Sequence, residues 1–262
     1  MDLETLKDWS HSVRHFEIIN SLKLSKIDLG NKKVLEIGSG NGYQLNILKK
    51  ISKEAKGIDI QNSLYANKIT DIIEYDGKAI PFEDSSFDVI FSSNVLEHIK
   101  QFESFQDEIK RVLKKDGFCI HILPSHSWRI WTSILHYPSI FFLILNITTK
   151  KFLNIFKKQR LSVTSPNEVY TSRKINMLNA LLLLLYSPRH GERGNFISEI
   201  VYFHPNSWKK RFEKNGWIIE SFFPTGLFYW SRDIFKLSIS LEARNCLHKY
   251  LGSACYTYIT RL

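Results

Sequence analysis

The stretch that most constrains this chain runs from Lys33 to Tyr43. Val34, Leu35 and Ile37 make a short apolar run of the kind that forms a buried strand, and Gly38, Gly40 and Gly42 follow in alternate positions. A helical pattern then begins, with Leu45, Ile47, Leu48 and Ile51 among polar neighbours. Strand, glycine turn and helix together make a nucleotide-binding corner. Glycine carries no Cβ, so the backbone can bend sharply and a ligand can come close, while the helix start offers unpaired N–H groups.

The spacing of this corner is G-x-G-x-G, with Tyr43 where a dinucleotide fingerprint would have its third glycine and Glu36 two residues before the first. The next unit, Ala55 to Ile60, reads as a strand carrying Asp59 at its end, about twenty residues beyond the first glycine, where a carboxylate accepts from ribose hydroxyls. The competing reading of Asp59 is a helix cap for the segment from Ser63. Residues 71–76 read as a third strand that closes on Asp76-Gly77, itself also a common turn pair. Then comes Ile80-Pro81-Phe82, followed by Ser86-Phe87-Asp88-Val89-Ile90 and by Leu96-Glu97-His98.

These motifs resemble the class I S-adenosylmethionine-dependent methyltransferases of the small-molecule, type 11-like kind, over residues 33–123 and in the family's order. The resemblance implies a Rossmann-like α/β fold: a seven-stranded, mostly parallel sheet with helices on both faces, the last strand inserted antiparallel beside the fifth. It implies S-adenosyl-L-methionine as cofactor. Gly38, Gly40 and Gly42 would let the backbone approach its methionine part, and Glu36 would support the turn or the amino group. Asp59, with Ile60 beside it, would hold the ribose. Asp76 would accept from the adenine amino group, with Gly77 giving room, and Asn94 would lie by the methionyl end. For Glu97 and His98 a capping or buried structural role competes with a catalytic one.

Residues 3–24 read as a helix beside the first strand, and Phe102–Leu113 as an amphipathic helix stopped by Lys114–Gly117. Phe118–Leu123 is the fifth strand, Pro205–Asn215 a helix, and Gly216–Phe222 and Cys255–Thr260 the last two strands. This gives three parts: a cofactor-binding core over 1–124, a helical cap or insertion after the fifth strand over 125–201, and the rest of the core sheet over 202–262.

The insertion is where charge and hydropathy depart from the core. Of the net +10, residues 125–193 carry ten Lys/Arg against two Asp/Glu, which suggests an anionic partner. Ile130–Ile147 has no charged residue. At that length a membrane span comes into question, but His136 and Pro138 interrupt the run, and a span would put the last strands across the membrane from the first five. Two readings stand. One is a buried helical cap. The other is an interfacial surface, with Trp128 and Trp131 at headgroup level and Lys150, Lys151, Lys157, Lys158 and Arg160 against anionic lipid. The leucine run 181–185 fits either. No nucleic-acid motif is present, so no nucleic-acid partner is expected.

A base is needed only where the acceptor loses a proton. His190, Glu192 and His98 are the catalytic candidates, with His126 as a further one. The run from His190 to Glu192 and the Trp-rich start of the insertion resemble methyltransferases associated with bacterial surface-polysaccharide gene clusters. That resemblance implies O-methylation of a sugar or lipid-linked glycan acceptor; a membrane quinone or lipid acceptor is the alternative. A non-catalytic cofactor-binding module in a membrane-associated assembly is the reading of another class, and the register of Tyr43, Asp76 and Leu96–His98 argues against a nicotinamide oxidoreductase. Three cysteines outside any metal spacing predict no zinc site, no other metal and no disulfide framework. With the acidic N-terminus they predict a cytoplasmic protein without a secretory leader, peripheral at the inner face of the plasma membrane if the interfacial reading holds.

Overall fold

The computed structural model describes residues 3–61, 69–138, 187–231 and 239–262, with side chains from Trp9 onward. In chain order the elements are α1 (Leu3–Ser25), β1 (Lys33–Ile37), α2 (Tyr43–Ile51), β2 (Glu54–Ile60), β3 (Ile73–Tyr75) and β4 (Phe87–Ser93). A 3-10 turn (Leu96–His98) leads to α3 (Phe102–Val112), β5 (Leu113–Pro124) and α4 (His126–Ile134). After the insertion come α5 (Ser198–Tyr202), α6 (Pro205–Lys214), β6 (Ile218–Pro224), α7 (Leu241–Leu251) and β7 (Cys255–Arg261).

The strands form one sheet in the order β3-β2-β1-β4-β5-β7-β6. From β3 to β5 every pair is parallel, and β7 runs antiparallel to both its neighbours, as expected. Val34, Leu35 and Ile37 of β1, Val89–Phe91 of β4 and Ile120, Ile122 and Leu123 of β5 are all buried. Consecutive buried residues, rather than alternating ones, are what a parallel sheet covered on both faces requires. Trp208 and Phe212 of α6 are fully buried beside the sheet. Each removes enough apolar area from water to contribute about 2–3 kcal/mol.

Two details add to the sequence reading. The first is α1, which meets the turn after β1, with His11 3.3 Å from Asn41 and stacked on Tyr43, and also bonds to β7 and the segment after β6. Ser21 Oγ lies 2.6 Å from Thr257 Oγ1, Asn20 donates to Thr225 O at 2.8 Å, and Glu17 accepts from Tyr229. Polar positions at i, i+3 and i+4 on α1 therefore face the polar C-terminal part of the sheet. The second is β5, which begins at Leu113, directly where α3 stops, rather than at Phe118. Leu113 already pairs with Phe87, and Lys114 reaches Asp88 at 2.8 Å. Gly117 makes this close passage possible, since a Cβ there would lie 2.9 Å from Asp88 O.

The basic stretch 150–160, the leucine run 181–185 and the second half of the uncharged run 130–147 lie outside the described residues. No described helix is long and apolar enough to cross a membrane.

Candidate active site

The candidates gather beyond the C-terminal ends of the parallel strands, where ligands of such sheets bind. After β1 the chain turns through Gly38, Gly40 and Gly42, with φ of 74°, 55° and 87°. Gly38 N and Ser39 N both donate to Ile58 O, which ties the turn to β2. A Cβ on Gly38 would come within 2.3 Å of Val95 Cγ2, so the turn after β1 packs directly on the turn after β4.

Asp59 clamps this loop from the side. Its Oδ2 accepts from Gly40 N at 2.6 Å and its Oδ1 from Ile60 N at 2.7 Å. Glu36 is 1% exposed, and neither of its carboxylate oxygens has a hydrogen-bond partner. Burial pushes its pKa up to about 8; the Ser39 hydroxyl offsets part of this and the Asp59 charge adds to it. An orphaned buried carboxyl beside a glycine turn fits a ligand that brings an ammonium group.

Asp76 follows β3 on the surface. Its Oδ1 accepts from Lys78 N and Ala79 N, and those bonds hold its carboxyl below the usual range. Its observed bonds are thus those of a turn, with Gly77 at φ 77° beside Ile60. Asn94 follows β4 at φ 54°, its N bonded to Ile122 O and its Oδ1 3.5 Å from Cys255 Sγ. Cys255 contacts Tyr229, whose hydroxyl donates to Glu17.

A second group lies on the turn that follows Asn94. The Glu97 side chain is fully buried, with His98 Nε2 at 3.7 Å and His190 Nε2 at 3.6 Å from its Oε1. The two imidazole rings are 4.9 Å apart. Burial opposes ionisation of Glu97, but the two imidazoles outweigh it and hold the carboxyl below its usual range. Burial also lowers the His98 pKa, more than Glu97 raises it. The arrangement is therefore an ionised carboxylate facing imidazoles, at least one of which favours the neutral state.

The loop that carries His190 is fixed from beneath. His190 N and Gly191 N donate to Glu199 Oε1 at 2.6 and 2.7 Å. Glu199 also meets Arg129 at 3.2 Å in a pair whose side chains are 0% and 1% exposed. Glu192 N donates to Glu97 O, and a Cβ on Gly191 would sit 3.0 Å from that same oxygen, so glycine lets the loop dock on the turn. Trp128 packs its ring 4.6 Å from His190.

Of the catalytic candidates, His98 and His190 come together. Glu192 pairs with Lys100 at 3.5 Å, and its charge also acts on His98, raising that pKa against burial. His126 pairs with His204 instead, at 4.8 Å between rings. Sequence reasoning underrated Glu97 and did not assign roles to Arg129, Glu199, Tyr229 or Glu17.

Residues 35–121 match a family model described as a methyltransferase domain. The chain carries a class I S-adenosylmethionine-dependent methyltransferase domain. Its cofactor is S-adenosylmethionine, and the orphaned Glu36 beside the glycine turn fits the cofactor's ammonium group.

Relatives of this methyltransferase domain include a phthiotriol/phenolphthiotriol dimycocerosates methyltransferase of Mycobacterium tuberculosis. It is 28% identical over 103 residues, 36% of this chain and 38% of that protein. A sterol 4-C-methyltransferase of Caenorhabditis elegans is 32% identical over 39% of this chain and 33% of its own length. A ubiquinone biosynthesis O-methyltransferase of Bartonella tribocorum is 23% identical over 41% and 47%. The chain spans between a third and a half of the length of these curated relatives. Among solved structures, the complex of the Haloferax volcanii Trm112 methyltransferase activator with a methyltransferase matches at a TM-score of 0.54. That match covers 97% of this chain and 92% of the other at 13% identity, a likeness of fold.

Proposed function

We propose that the protein O-methylates a hydroxyl of a sugar or lipid-linked glycan acceptor. The observation that carries this reading is the meeting of Glu97, His98 and His190 on the turn that follows Asn94. Methylation of a hydroxyl, unlike that of a free amine lone pair, needs a group that eases loss of the acceptor's proton. When bound, the cofactor supplies a methyl carbon already activated on its sulfonium. The chain's own work is then positioning and proton handling. Gly38–Gly42 and Asp59 would hold the donor, with Glu36 meeting its ammonium group. Ile60, Asp76 and Gly77 would form the adenosine side, and Asn94 the wall near the transferred group. Glu97, His98 and His190 would activate the acceptor hydroxyl.

A second reading, a membrane lipid or quinone acceptor, is favoured by the names of the relatives, which concern a complex lipid, a sterol and ubiquinone biosynthesis. Ile134, Tyr137, Ile197 and Val201, each more than half exposed, flank the 139–186 stretch and suit an apolar acceptor or a lipid surface. On either reading residues 125–201 would form the acceptor side of the site.

Calorimetry with S-adenosylmethionine should show binding by the wild type and a loss of about tenfold or more in Asp59→Ala, which removes a charged hydrogen-bond acceptor. No binding by the wild type would refute the donor assignment. Mass spectrometry of glycans and lipids from cells with and without the protein distinguishes the acceptors. A methyl group missing from a sugar supports the first reading, and one missing from a quinone or lipid replaces it with the second.

A further inference from the structure

We infer that Glu97, His98 and His190 form a binding site for a divalent transition-metal ion, of the two-imidazole, one-carboxylate type. Their candidate ligand atoms all lie within 4.8 Å of one another. The separations of 3.6 and 3.7 Å from Glu97 Oε1 to the two Nε2 atoms are too long for hydrogen bonds. They lie just outside the roughly 3–3.5 Å between two ligands that share an ion at bond lengths of about 2.0–2.2 Å. A small side-chain adjustment brings these two distances into that range, and a larger imidazole rotation would close the remaining separation within the 4.8 Å set.

Charge points the same way. Glu97 is a fully buried carboxylate whose two oxygens accept no hydrogen bond. A buried charge in that state is costly without a cationic partner. Among the described residues, Arg129 pairs with Glu199, Lys100 with Glu192 and Arg193 with Glu103.

The surroundings are built as metal sites are, with supports that fix the ligands. The bonds of His190 N and Gly191 N to Glu199, the Arg129–Glu199 pair beneath them and the Trp128 ring together hold the His190 loop against the turn. Two imidazole nitrogens and one carboxylate select borderline ions such as Zn²⁺, Co²⁺ or Mn²⁺ over Ca²⁺ or Mg²⁺, which prefer oxygen. Three protein ligands leave at least one position open. On the reading proposed above, that position would take the acceptor oxygen, and the ion would ease loss of its proton to water. The binding itself does not depend on that reading.

Cobalt(II) is the probe, added to the full chain after chelator treatment and followed by visible absorption and calorimetry. The expected result is one equivalent bound, with about tenfold or weaker binding in both Glu97→Gln and His190→Ala. S-adenosylmethionine binding by His190→Ala should stay at the wild-type level, which shows that the variant is folded. Wild type that takes up no cobalt(II) overturns the inference. So does unchanged uptake in His190→Ala, which would put the ion elsewhere, for example on His126 and His204. Either failure with intact S-adenosylmethionine binding leaves the methyl-donor assignment standing.

Discussion

Glu36 is the buried carboxyl that the proposed donor contact would change most. Its folded pKa of about 8 compares with about 4.3 in an unfolded chain. Between those values the folded protein holds a proton that the unfolded chain has released. The residue's contribution to stability is therefore largest below about pH 4.3 and falls as pH rises towards 8, by up to about 1.4 kcal/mol per pH unit. Denaturant midpoints measured across pH 5–8 should fall less steeply in Glu36→Gln than in the wild type. Parallel slopes would contradict the buried, orphaned carboxyl. An ammonium group arriving beside Glu36 favours its ionised form, so donor binding at pH 7 should release a proton. Calorimetric heats should then differ between two buffers of unequal ionisation enthalpy; equal heats would refute the contact. Much of this corner was legible in the sequence, because Glu36, the glycines and Asp59 are fixed by local spacing on two adjacent strands. The state of Glu36 was not legible, since its cause is burial under elements distant in the chain.

The His190 loop shows where local reading stops. His190 could be named as a candidate base from residue type alone. Its partner Glu97 and its support on Arg129 and Glu199 join three segments separated by long stretches of chain, and no periodicity links them. The Arg129–Glu199 pair is fully buried, with burial lowering the Arg129 pKa and raising that of Glu199 against their mutual attraction. Removing one partner strands the other charge, at a cost of about 3–5 kcal/mol. Arg129→Met should lower stability by that amount in urea titration, and should weaken any function of His190 more than donor binding, because Glu199 anchors the loop and not the glycine corner. A loss below about 1 kcal/mol would mean that the pair is solvated. At the same scale, the early start of β5 has a simple cause. Lys114–Gly117 has the composition of a helix end, but Asp88 supplies a counter-charge that draws Lys114 into the sheet.

For the whole molecule, the sheet was legible because alternating apolar runs and helical stripes prescribe parallel strands. The role of the insertion was not, since an uncharged run beside a basic one has the same composition whether it packs on protein or on lipid. Sedimentation with anionic vesicles separates these. The interfacial reading expects binding that falls with salt and in the triple variant Lys157/Lys158/Arg160→Glu. Wild type that stays in the supernatant would favour the buried cap.

The position of β7 carries a further consequence. It is the last strand in order, yet it lies between β5 and β6, which share no bond with each other. During synthesis at about 5–20 residues per second, β6 is complete some seconds before β7 has been made. Through that interval β5 and β6 each have an open edge where β7 will pair, and open edges invite pairing with other chains. The nascent protein is thus most prone to stick to its neighbours late in translation, after the glycine corner has had time to form. Slowing the ribosome between residues 224 and 255 would lengthen that exposure without changing a single contact of the finished fold.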